Sequence, residues 1–177
     1  MRDGYTLRLA TAADIEAMRD VERDAGRRFL EFPADTKLHE IADDDPPAAE
    51  VLEGHIDNDA AWVVTDPSGS VVGYAVASMI DDDALLDQVS VRCDHQGHGI
   101  GTALIAEVCE WAASLDFEAI TLTTFSDVPF NGPYYEHLGF AVVPERSCGE
   151  ELQSLRDHER FIGLDVQPRV VMRRALG

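Results

Sequence analysis

The sequence predicts an α/β (α+β) chain, a mixed sheet with helices packed against it. Three observations support this reading. Strands of the hairpin type come before a strand–helix alternation. A Gly-rich turn joins a strand to a long, apolar-striped helix in mid-chain. With 45% hydrophobic residues, 177 residues are enough to bury the core of one domain spanning residues 1–177. In such folds the central strand–turn–helix is where a ligand binds.

Residues 5–10 alternate apolar and polar and read as the first strand. Thr11 or Asp14 can cap the following helix, which places Ile15, Met18 and Val21 on one face. The least structured stretch, residues 36–47, holds Asp43, Asp44, Asp45, Pro46 and Pro47 in a row and reads as a surface loop. A second helix runs from Pro47 to about Asp57, with Val51, Leu52 and Ile56 inward. Residues 60–65 and 71–80 form a hairpin around Asp66-Pro67-Ser68-Gly69, a turn signal. The second of these strands has a small face, Gly73, Ala75 and Ala77, which predicts a closely packed neighbour. Residues 81–83 turn into a strand at 85–91. A helix over about 99–115 carries Leu104, Ile105, Val108, Trp111, Ala112 and Leu115 at helical spacing. A strand at 119–124 is rich in Ile, Leu and Thr. A short helix at 131–138 ends at Gly139 in a left-handed conformation. A strand at 140–143, a helix at 150–161 and a strand at 169–174 close the chain.

Composition narrows the function classes. The formal charge is −20, from 34 acidic and 14 basic residues. Such a surface repels nucleic acid and anionic membranes and attracts cations such as amines. The simpler reading is a solvated acidic shell, as in a salt-rich cytoplasm, and it is preferred to steering of a cationic substrate. No apolar run reaches membrane-spanning length, and residues 1–11 lack the apolar centre of a secretory signal. Cys93, Cys109 and Cys148 are odd in number and widely spaced, which predicts reduced thiols in a cytoplasmic protein. His95, His98 and His137 lack the spacing and carboxylates of a metal site, so no metal is expected.

Between the strand at 85–91 and the long helix the chain reads Arg92-Cys93-Asp94-His95-Gln96-Gly97-His98-Gly99-Ile100-Gly101-Thr102. Three glycines at alternate positions let backbone approach a large anion. The helix that follows offers unpaired N–H groups and the positive end of its dipole. A diphosphate fits there. The dinucleotide fingerprint wants glycine where Thr102 stands, and the phosphate loop of nucleotidases wants a lysine that is absent.

Gln96-x-x-Gly99-x-Gly101, just after Val89-Ser90-Val91, resembles the central motif of the GNAT acyltransferases. Asn131-Gly132-Pro133-Tyr134-Tyr135-Glu136-His137-Leu138-Gly139-Phe140, about 35 residues on, resembles the family's second signature. The region also looks like a bacterial subgroup with a Val-Pro-Trp-Asn run, in which Phe130 here replaces the Trp. The resemblance covers about residues 5–175 and is strongest over 85–143. It implies a mixed, mostly antiparallel central sheet of about seven strands flanked by helices, with a splayed parallel pair, 85–91 and 119–124, holding acetyl-CoA.

The resemblance also implies roles. The pantetheine arm would bond the backbone near Val89 and Val91, and the diphosphate would lie on Gln96, Gly97, His98, Gly99, Ile100, Gly101 and Thr102. Asn131 matches a residue on the pantetheine side of the cofactor, and it can also cap its helix. Transfer to an amine needs a base, because an alkylammonium of pKa near 10 is mostly protonated at neutral pH. It also needs an oxyanion donor, for which the family uses a backbone N–H near Val89. Tyr135 matches the family's acid position, with Tyr134 alongside as the alternative core aromatic. At one common base position this chain has Leu85, which cannot act. Asp87, two residues on and on the same face, is the candidate base. Glu22 lies in the stretch resembling the family's substrate-side helix and could bind the amine. The expected activity is acetylation of a primary amine on a small molecule or a protein N-terminus. An acyl-CoA-binding sensor without turnover is the alternative, and a longer acyl-CoA is a further donor to test. Family members often form dimers, so a homodimer is one assembly the resemblance implies.

Overall fold

The computed structural model describes residues 1–42 and 44–177. Strands form at Thr6–Leu9 (β1), Ala61–Thr65 (β2), Val71–Ile80 (β3), Asp83–Val91 (β4), Ala119–Phe125 (β5), Ala141–Val143 (β6) and Arg169–Ala175 (β7). Helices form at Ile15–Gly26 (α1), Leu38–Ala42 (α2), Ala49–Asp57 (α3), Ile100–Ser114 (α4), Gly132–His137 (α5) and Glu150–Phe161 (α6). The strands make a seven-stranded sheet in the order β1-β2-β3-β4-β5-β7-β6, antiparallel except for β4 and β5.

Strand alternation divides the core between two faces. On one face, Met18 and Val21 of α1 and Leu52 of α3 bury against Ala61, Val63, Tyr74 and Val76. On the other, α4 sets Ile100, Leu104, Ile105 and Val108 against Trp62, Val64, Ala75, Ala77 and Leu86. The small face of β3 has the close neighbour its sequence predicts. A Cβ on Gly73 would stand 2.8 Å from Ile100 Cγ2, so a side chain at 73 would press against α4.

The register of β3 and β4 shifts once, between Val76 and Ala77, which pair with Gln88 and Leu86. Asp87 is therefore the extra residue of a β-bulge. A bulge re-aims side chains and commonly lies beside a functional site. It brings Asp87 and Gln88, neighbours in sequence, to the α1 side of the sheet.

The turn between β3 and β4 anchors α6. Asp81 takes a left-handed φ of 49°, and its carboxylate accepts the N–H groups of Glu151 (3.0 Å) and Leu152 (3.1 Å). Glu151 returns the bond by accepting the Asp81 N–H at 2.6 Å. This reciprocal cap across 70 residues satisfies helix donors that Gly149 cannot.

Some expectations need correction. The stretch 36–47 contains α2, where Leu38 is buried against Phe125 and Val128; Asp43 lies outside the described residues. Val51 and Leu115 are 54% and 51% exposed rather than inward. Leu52 alone reaches the centre of its cluster, and Leu115 lies past the end of α4, where the helical face no longer applies.

Candidate active site

β4 and β5 pair only through Ala84–Ile120 and Leu85–Thr121. Beyond Leu85, β4 keeps one edge on β3 and leaves the other open. Arg92 N–H donates to Val72 O at 2.9 Å. Donor direction alternates along an antiparallel pair, so Ser90 and Gln88 turn their amides to β3, while Val89 and Val91 turn theirs to the gap. A cleft of about 680 Å³ opens there, within the range of small-molecule sites.

The donor half of the cleft is built from backbone. Gly97 and Gly99 take φ of 73° and 76°, the left-handed region that glycine adopts without strain. The bond from Ala103 N–H to Gly99 O, 3.0 Å long, opens the α4 ladder. The amides of Ile100, Gly101 and Thr102 thus have no carbonyl one turn back, and the helix dipole adds positive potential there. Gly99, Gly101 and Thr102 all line the cleft.

α5 closes this half. Tyr134 and Thr102 share a hydroxyl–hydroxyl hydrogen bond of 3.2 Å. Tyr135 is buried at the cleft wall, its ring edge-on to Phe140 with centroids 5.7 Å apart. Burial, and then the neighbouring Tyr134, push its phenol well above the usual tyrosine range, against a smaller opposing effect of Arg169. The phenol therefore keeps its proton at neutral pH. Asn131 stands at the N-cap position of α5 but makes no capping hydrogen bond, and its Oδ1 is buried without a partner. The expected capping role is thus not filled. Among the described residues this amide oxygen is an acceptor facing an unmet cost of burial, which a ligand N–H would relieve.

The acceptor half is built from side chains. Asp87 lines it, its surface open to the cleft while protein crowds the carboxylate. That desolvation outweighs a hydrogen bond from Ser78 and the nearby His55 and raises its pKa. Glu22 also lines the cleft and accepts three hydrogen bonds, from Tyr74 Oη (2.8 Å), Gln88 Nε2 (2.8 Å) and Ser90 Oγ (2.6 Å). Deeper in, Glu159 accepts from Thr123, Arg156 and Arg169, with Arg169 Nη2 at 3.0 Å. Arg156, 1% exposed, also forks onto Asp165 at 3.1 and 2.9 Å. Phe29, Phe125 and Phe130 form an apolar wall, with Phe29 5.9 Å from Phe125 and 5.2 Å from Phe130.

A family model described as the acetyltransferase (GNAT) family matches residues 17–140, more than half of the chain. The chain belongs to the GNAT acetyltransferase family. Solved structures share its fold at low identity. The N-acetylglutamate synthase of Neisseria gonorrhoeae, complexed with coenzyme A and N-acetyl-glutamate, is 18% identical with a TM-score of 0.73. That match covers 100% of this chain but only 36% of the synthase. The ribosomal-protein-S18-alanine N-acetyltransferase of Escherichia coli is 15% identical (TM-score 0.67; 98% and 94% covered). A phosphinothricin acetyltransferase of Sinorhizobium meliloti in complex with AcCoA is 21% identical (TM-score 0.66; 98% and 89% covered).

The acetyltransferase uses acetyl-CoA as donor, and three features fit it: unpaired amides at the mouth of α4, an open strand edge at Val89 and Val91, and the orphaned Asn131 oxygen. Among the described residues no group of three His, Cys, Asp or Glu is placed to hold a metal.

Some motif residues do structural work. Gln96 lines the cleft, yet its Nε2 donates to Val91 O at 3.3 Å and closes the turn. The His98 ring lies beside Tyr5 and bonds His95 O at 3.0 Å. The Ile100 side chain is buried under β3, leaving only its amide for a ligand. Conversely, sequence reasoning missed Tyr74, Gln88 and Ser90 around Glu22, and Thr123, Glu159 and Arg169 beyond Asp87. Gln88 and Ser90 carried a signal, two polar residues at period two flanked by Val89 and Val91. Glu159 and Arg169 carried none, because they are joined only by the tertiary fold.

Proposed function

We propose that residues 1–177 act as one domain that acetylates a primary amine, of a small molecule or a protein N-terminus, by direct attack on the thioester. The observation that carries this reading is the meeting of Asp87 and Tyr135 on the walls of one cleft at the β4–β5 gap. Asp87 takes a proton from the incoming ammonium, a task suited to a carboxylate with a raised pKa. Tyr135, still protonated, supplies a proton to the departing sulfur. The Val89 amide bonds the developing oxyanion, and fixed donors of this kind commonly provide the largest stabilisation. The amides of residues 97–102 hold the diphosphate, and the Val91 backbone and Asn131 hold the pantetheine arm. Glu22 fixes Gln88 and adds negative charge toward the ammonium.

A cytoplasmic location belongs to the same proposal; the three cysteines are free thiols, as a reducing compartment would keep them. Thiol release from acetyl-CoA with a panel of amines tests the reading. Turnover that falls about tenfold or more in Tyr135→Phe, with coenzyme A affinity kept, supports it. Binding without turnover by any amine favours a sensor, and full activity in Tyr135→Phe removes the phenol from the mechanism.

A further inference from the structure

Arg28, in the segment Arg27–Glu31 after α1, lines the acceptor half of the cleft. Its guanidinium lies 3.9 Å from the centroid of the Phe130 ring. It is half-buried and, among the described residues, has no carboxylate within ion-pair distance. The other arginine of the cleft, Arg169, is paired with Glu159 at 3.0 Å and lies over Phe125 at 4.8 Å. Its Nε–H is buried without a hydrogen-bond partner. Among the described residues Arg2, Arg146 and Arg174 also lack an ion pair, but of these four only Arg28 lines the cleft, beside Glu22, Asp87 and Asp45. Its seat over the Phe130 ring is a cation–π contact that anchors the group at the cleft, and a guanidinium carries the N–H fork that takes a carboxylate by two bonds.

The cleft therefore offers three chemistries to one molecule: carboxylates for an ammonium, a phenylalanine wall for an apolar body, and a free guanidinium for an anion. We propose that Arg28 is a carboxylate subsite and that the acceptor is a free amino acid with an apolar or aromatic side chain. Its carboxylate pairs with Arg28, its side chain lies on Phe29, Phe125 and Phe130, and its amine meets Asp87. The proposal rests on the transferase reading of the same cleft. The C–S bond of the thioester breaks and a C–N bond forms. The ammonium gives up two protons: one passes to solvent by way of Asp87, and the other balances the proton that Tyr135 gives to the departing thiolate, so that the phenol is restored. The products are the N-acetyl amino acid and coenzyme A thiol.

The test is thiol release with matched acceptors, tyrosine against tyramine and leucine against isoamylamine, in the unmodified enzyme and in Arg28→Gln and Arg28→Lys. Comparing ratios cancels the intrinsic reactivity of each amine. Arg28→Gln is expected to lower kcat/KM for the amino acid at least about 30-fold more than for its amine, the loss typical of truncating one side of a shielded charge pair. Arg28→Lys should recover part of it, having the charge without the fork. Calorimetry on the unmodified protein with coenzyme A gives an independent reading. N-acetyltyrosine should bind at least about tenfold tighter than N-acetyltyramine. Equal losses for both members of each pair, a change confined to the KM for acetyl-CoA, or equal affinity for the two products would overturn the subsite while leaving the transferase standing. A chain that binds acetyl-CoA yet acetylates none of these acceptors, while acetylating other amines, would overturn it too. No turnover of any amine would remove both readings.

Discussion

The two halves of the cleft are made of different material. The donor half is mostly backbone: glycines at 97, 99 and 101, the first amides of α4 and one unpaired strand edge. The acceptor half is mostly side chains, Glu22 from α1, Asp87 from β4, Thr123 from β5, Glu159 from α6 and Arg169 from β7. Backbone can be shaped by a short local pattern, and a diphosphate is the same whatever the acceptor. A side-chain constellation can be rebuilt residue by residue on the same frame, which suits the half that must differ among enzymes with one donor.

The comparison can be broken from either side. The largest expected effect lies beneath the acceptor half. Arg156→Met leaves Asp165 and Glu159 short of a buried cation and should cost about 3–5 kcal/mol of stability, read from the urea midpoint. A negligible loss would show that the network contributes little to holding that wall. In the donor half, Gly99→Val forces a branched residue into φ 76° and disturbs the amides that bond the phosphates. We expect at least about 100-fold weaker coenzyme A binding by calorimetry with the fold retained; retained affinity would mean the loop is not the cradle.

Asp87→Asn is expected to lower kcat about 100-fold while coenzyme A binding persists. Because the Asp87 pKa is raised and its ionised form is the base, the unmodified enzyme should lose kcat as pH falls, with a midpoint above that of a free aspartate. The variant should lack that limb, and an unchanged profile would exclude Asp87 as the base. The smallest effect lies outside both halves. Arg8 forks onto Asp14 at 2.8 Å through each nitrogen and holds its pKa down to about 2. Arg8 is 43% exposed, so solvent screening leaves about 1 kcal/mol to be lost in Asp14→Asn. The folded pKa lies below the unfolded one. That contribution is therefore full above about pH 4 and disappears as pH falls toward 2, and denaturation midpoints at the two pH values measure it.

The same contrast decides what could be read from sequence. The strands and α4 followed from period and turn residues, and the diphosphate turn from three glycines between a strand and a helix, because each is specified within about a dozen residues. The bulge at Asp87 was invisible, since it exists only as a shift in pairing with β3. The partners of Glu22 lie 52 to 68 residues away in sequence, and the Asp81 cap on α6 spans 70. Asn131 was found by its motif, but burial of its oxygen without a partner required the packed α5. Arg28 carried no signal in the sequence, because only the fold brings Phe130 beneath it.

The central claim is that the bare amides at the start of α4 hold the linked phosphates and so lay the thioester across the β4–β5 gap. A crystal structure with bound acetyl-CoA measures this directly. The account predicts phosphate oxygens within hydrogen-bond distance of the amides of residues 97–102, with the pantetheine arm along Val89 and Val91 and the acetyl group between Asp87 and Tyr135. Phosphates bound elsewhere, or an acetyl group remote from both side chains, would contradict it.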